Sequence, residues 1–237
     1  MVSDNDSQPL TYRYRFGLTD GTEETFVVSL DPETAERLDP LPADLPKWTR
    51  LEFQQCPNCP LTPEDGNACP LATRLVPLVS RLGHLTSFSE LDLSVDTPDR
   101  DYSKRVPAQD AIASLMGLLN ATSGCPRMDF FRPMARFHLP LSNLDETFYR
   151  VLSMYMLGQY LRHQQGLPVD MDMTGLSTHY AEINVVNKYL VQRLRAATKE
   201  DGTLNAAVLL DMLAMTMPLM LDDLPRIERL FSAFTTD

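Results

Sequence analysis

Cysteine is scarce in this chain of 237 residues, which has four: Cys56, Cys59, Cys69 and Cys125. A chain of this length buries an adequate core without covalent staples, so a disulfide scaffold is not called for. Basic residues are also in short supply, with 21 Lys and Arg against 32 Asp and Glu and a formal charge of -11. That field repels phosphate and argues against general affinity for nucleic acid or anionic lipid. Met1 to Leu10 lacks both a basic start and an apolar stretch, so no signal peptide is expected. Long hydrophobic runs are lacking too. The richest window, Val208 to Leu221, is interrupted by Asp211 and Pro218, so no membrane span is expected and the protein reads as cytoplasmic. None of the four histidines, His84, His138, His163 and His179, falls in an H-E-x-x-H word, and no Ser-His-Asp or Cys-His set can be assembled. No catalytic motif emerges, and whether the chain is an enzyme stays open.

What is present centres on the same four cysteines, each followed by proline, in the order C-x2-C-x9-C-x55-C. In a reducing compartment clustered cysteines are ligands or redox groups more often than disulfides. Four thiolates close the tetrahedral shell of a structural zinc ion, leaving no open position for metal-centred hydrolysis. The same inventory suits a 4Fe-4S cluster, which tolerates Cys-Pro pairs, and spacing does not separate the two. The C-x2-C turn fits either, because it directs the amides at its second and third positions toward the first sulfur.

Along the chain, Thr11 to Leu18 and Thr25 to Leu30 alternate apolar and polar residues about Asp20-Gly21, predicting a hairpin. Asp31 as N-cap with Pro32 at the first helical position predicts a short helix to about Leu38. Trp48 to Gln55 reads as a strand that delivers Cys56. Cys69-Pro70 opens an amphipathic helix that ends near Gly83 and could be kinked at Pro77. Glu90 to Thr97 and Asp101 to Val106 predict a second hairpin. From Pro107 the period is helical: a first helix ending at Ser123-Gly124, then Leu144 to Gln165, Leu176 to Ala197, Leu204 to about Met217, and a last one over Leu224 to Phe234. The fourth is apolar nearly all round, which predicts a central position. Leu176, Tyr180, Ile183, Asn187, Leu190 and Leu194 form a seam. The sum is an α+β protein: an antiparallel sheet region with a four-cysteine metal loop (residues 1–106) packed on a helical region (107–237). Cys125 joins the two.

Beside Cys125, Arg127, Arg132 and Arg136 interleave with Met128, Phe130, Phe131, Met134 and Phe137. This is either a basic, aromatic surface for an anion, a nucleic acid or an acidic partner, or core aromatics with arginines offsetting nearby carboxylates. His138 is the histidine nearest the cysteine words, a candidate to support the metal from behind or an ordinary hydrogen-bonded residue. Asp211, in the most apolar helix, needs a partner or a raised pKa, with an arginine the expected partner. Asn187, in the seam, fits a role in helix register.

The words QQCPNCPL (Gln54 to Leu61), ACPLA (Ala68 to Ala72), ATSGCP (Ala121 to Pro126) and DFFRPMARFHLP (Asp129 to Pro140) resemble a family of uncharacterised bacterial proteins with no assigned activity. The resemblance implies a bacterial, cytosolic origin and marks Cys56, Cys59, Cys69 and Cys125 as metal ligands; it implies no substrate. The expected function is that of a metal-binding protein whose metal is chiefly structural and whose surface meets an unknown protein partner. An iron-sulfur redox or sensor role is the alternative, and nucleic-acid binding through Arg127, Arg132 and Arg136 a weaker one.

Overall fold

The computed structural model describes residues 8–221 and 228–235. Strands β1 (Leu10–Gly17) and β2 (Glu23–Leu30) form the first hairpin, with Gly21 at φ +85° supplying the turn. Strands β3 (Glu90–Asp96) and β4 (Asp101–Pro107) form the second. The four make one antiparallel sheet in the order β2-β1-β3-β4, with β1 and β3 paired at its centre. The alternation in the sequence fixes which face is inside: Tyr12, Tyr14, Phe16, Val28, Leu93 and Val95 are buried. On the other face Arg15 forks onto Asp96.

Helix α1 (Pro70–Leu82) runs through Pro77 and buries Leu71, Leu75, Leu78 and Leu82. Helix α2 (Ala108–Ala121) follows β4 without a loop and is buried on most sides through Ile112, Leu115, Met116 and Leu119. A short helix, α3 (Arg132–Arg136), leads to α4 (Leu144–Gln164), which opens with a reciprocal cap between Asn143 and Glu146. Helix α5 (Thr174–Arg195) buries every residue of the predicted seam and packs on α6 (Gly202–Leu221). Sheet and helices share one hydrophobic cluster.

Four expectations need correction. Asp31 does accept from the amides of Glu33 and Thr34, but no helix follows. Ala35 turns to φ +54° and the chain folds back onto β2, where the Leu38 amide donates to Ser29. Trp48 to Gln55 is not a strand. Lys47–Thr49 is a tight helical turn behind Pro46, and the chain then turns again, with Gln54 at φ +50°. Only Arg50 bridges to Ala68.

Helix α6 is not central. It packs on α2 and α5 with Ala206, Ala207, Ala214 and Met217 inside, while Met212, Met215 and Leu219 are exposed; α2 holds the centre instead. Helix α6 also revises the expectation for hydrophobic runs, because Asp211 and Pro218 do not end it. At 20 residues and a mean hydropathy of 1.7 over its most apolar window, it is long and apolar enough to cross a membrane by length and composition. The start of the predicted last helix lies outside the described residues; within them, a tight helical turn at Arg229–Phe231 leads to a helical turn at Ser232–Thr235.

Candidate metal centre

The cysteines reach one place from three segments. Cys56 and Cys59 share a turn closed by the Cys59 amide donating to the Cys56 carbonyl at 3.0 Å. Cys69 caps α1, with Pro70 at the first helical position where a missing N–H costs nothing. Its amide donates to Thr49 at 2.7 Å, tying helix start to knuckle. Cys125 follows α2, where Gly124 at φ +82° turns the chain and the Ser123 hydroxyl accepts from the Cys125 amide.

All four side chains are unpaired and line one cavity of about 20 Å³, walled by Leu51, Leu61, Leu71, Val186 and Leu190. Among the described residues, no group of three or more His, Cys, Asp or Glu stands placed to hold a metal ion. A formed four-cysteine metal loop is therefore not shown. The cysteines sit on separately anchored backbone turns and border a common space.

The electrostatics of that space are specific. Burial pushes the Cys56 thiol up to about 12, the other three cysteines push the same way, and Arg193 opposes them. Burial pushes the Cys125 thiol up to about 11, opposed by the nearby amides of Arg127 and Met128, the second of which donates to the Cys125 carbonyl at 2.8 Å. Those amides stand two and three residues after the cysteine, the positions that stabilise a thiolate in a knuckle.

Arg193 is the residue that the sequence reading missed. It is 2% exposed, lines the cavity, and donates to the carbonyls of Trp48 (2.8 Å), Arg50 (2.7 Å) and Leu51 (3.0 Å). It forms no ion pair among the described residues. The inward turn of those carbonyls is why Trp48 to Gln55 cannot lie flat as a strand. A signal existed: Val186, Leu190 and Arg193 step by four and three along one face of α5, so an arginine occupies an apolar stripe.

The basic segment is largely accounted for. Arg127 borders the cavity, donates to the Asn58 carbonyl at 2.9 Å and pairs with Glu182 at 2.8 Å, while Asn58 donates to the Glu182 carbonyl. These bonds stitch the knuckle to α5. Arg132 pairs with Asp129 and Glu36, and Arg136 donates to the Pro32 carbonyl and lies over Phe137.

His138 is not beside the cysteines. It lines a different cavity, bonded through Nε2 to the Tyr14 hydroxyl at 2.5 Å, and burial pushes its pKa down to about 3. Asp211 is partnered by Asn184 at 2.8 Å rather than by an arginine, and burial raises its pKa. Asn187 donates to the Leu210 carbonyl, joining α5 to α6.

The class these features define is an α+β protein with a four-stranded antiparallel sheet, in which a cysteine-lined cavity lies between the loop before α1, the start of α1, the segment after α2 and α5. The chain belongs to the family described as a domain of unknown function (DUF6901), whose model matches residues 10–232. No curated protein and no solved structure matches it.

Proposed function

We propose that Cys56, Cys59, Cys69 and Cys125 bind one zinc ion as a structural site, and that the protein so stabilised serves as a binding partner for another protein. The observation that carries this reading is Arg193. A guanidinium this deeply buried is costly without a counter-charge, and among the described residues that line its cavity the cysteines alone could supply one. Four thiolates around a divalent ion leave excess negative charge. Arg193 would offset part of it, while its carbonyl contacts hold the guanidinium in place.

The amides of Arg127 and Met128 beside Cys125 add to the case, since nearby N–H dipoles favour the thiolate. Neutral thiols are otherwise preferred here, so the ion itself must displace the protons. The size of the cavity favours a single ion over a cluster. A space of about 20 Å³ is on the scale of one water molecule, whereas a cubane of eight atoms would require the three segments to move apart. Pairing of Arg127 and Arg132 with acidic residues favours the reading in which the arginines of that segment offset nearby carboxylates over nucleic-acid binding through it.

Elemental analysis with a visible spectrum tests the proposal. Protein purified under air and under nitrogen should be colourless and carry one zinc per chain. A brown, oxygen-sensitive preparation would replace the zinc with a cluster. Metal-free protein with an undiminished melting temperature would remove the metal altogether.

A further inference from the structure

We propose that the partly open cavity between β4, α2, α3, α4 and the α5–α6 pair binds a small aliphatic carboxylate, with Arg150 as its charge partner. This cavity is distinct from the one lined by the cysteines. It measures about 430 Å³, within the roughly 300–1,000 Å³ typical of small-ligand pockets. Most of its wall is hydrocarbon, including Leu118, Met134, Leu141, Ile183, Leu210 and Leu213. The apolar wall gains contacts, and is removed from water, when an apolar ligand body lies against it.

The polar groups on the wall narrow the class of ligand. Nη2 of Arg150 donates to the carbonyls of Met134 (3.0 Å) and Phe137 (2.7 Å), which fixes the plane of the guanidinium. No Asp or Glu among the described residues pairs with it. The carboxylate on the wall, Asp110, feels the charge of Lys104, which lines the same cavity. Lys104, the other cation on the wall, lies near Asp110, whereas Arg150 feels the Glu146 charge through space without forming an ion pair, which leaves its guanidinium open to an anion.

A planar guanidinium with one nitrogen committed and the rest of its fork available matches a carboxylate. Asn120, also on the wall, is buried with its side-chain oxygen unpartnered, a position that a donor on the ligand or an ordered water would complete. Phosphate or sulfate would gain nothing from the aliphatic walls, and an uncharged alkane nothing from Arg150.

The probes are decanoate and decanol, below their aggregation concentrations, titrated into the full chain by isothermal calorimetry. Decanoate should bind saturably at one site and decanol about ten-fold more weakly. Arg150→Gln should reduce decanoate to the level of decanol, and Arg150→Lys should restore part of the difference. Leu213→Trp, which fills the space from α6, should abolish both while the circular dichroism spectrum stays native. Equal binding of the two probes by the unaltered protein would overturn the assignment of Arg150, even if the arginine variants failed to fold. Absence of saturable decanoate binding to folded protein, or binding undisturbed by Leu213→Trp, would overturn the site.

Discussion

At the scale of single residues, two buried basic groups separate structural burden from chemical purpose. Arg193 satisfies three inward-facing carbonyls, those of Trp48, Arg50 and Leu51. Its replacement by glutamine strands at least two of them, at roughly 1–3 kcal/mol for each buried group left unpaired. We expect Arg193→Gln to destabilise the protein by about 2–5 kcal/mol in urea titration. It should also lower the affinity for zinc, and a stability loss with unchanged affinity would mean that Arg193 props up the loop and nothing more.

His138 gives a pH signature. Burial and the nearby Arg150 charge hold its pKa at about 3 in the folded protein, against roughly 6.5 in an unfolded chain. Between those values the unfolded chain takes up a proton that the folded protein refuses. Stability is therefore complete above pH 6.5 and falls on acidification, by roughly 1.4 kcal/mol per pH unit from this residue. Tyr14, Tyr12 and Arg150 face the imidazole and none of them changes charge in that window. Urea midpoints from pH 7 to pH 5 should therefore slope less for His138→Gln than for the unaltered protein, and parallel slopes would show the imidazole to be solvated.

At the scale of elements, the hairpins and long helices were legible because their periods are uninterrupted. Tyr12, Tyr14 and Phe16 alternate cleanly, and Leu176 to Leu194 keeps its seam. What was not legible depended on partners distant in sequence. Trp48 to Gln55 alternates like a strand, yet its carbonyls serve an arginine over 140 residues away. Helix α6 is apolar all round, and composition cannot tell which face is covered. Helix α2, with less warning, became the hub between sheet and helices. Leu115→Ala in α2 should cost about 2–5 kcal/mol. Leu219→Ala, on the exposed face of α6, should stay within about 0.5 kcal/mol. Calorimetric or chemical unfolding of the two variants compares them directly, and equal losses would mean that α6 is covered in solution.

At the scale of the whole molecule, the sequence pointed to the four cysteines and the fold gathers them around one cavity, but the buried charge beside that cavity, Arg193, lay hidden in the α5 stripe. Sheet and helices already share a core. A metal at the cysteine cavity would therefore act as a clamp between the knuckle, α1 and the end of α2 rather than as the nucleus of the fold. Structural zinc contributes apparent energies of roughly 10–16 kcal/mol in small peptides, comparable to the whole stability of a domain at about 5–15 kcal/mol. Its removal should loosen residues 47–70 first and lower the melting temperature sharply.

Zinc-edge X-ray absorption on the purified protein tests that claim at the atoms concerned. The account predicts one bound zinc with four sulfur neighbours at about 2.3 Å, reduced to three sulfurs in Cys125→Ser. A first shell of nitrogen or oxygen, or four sulfurs persisting in that variant, would contradict it.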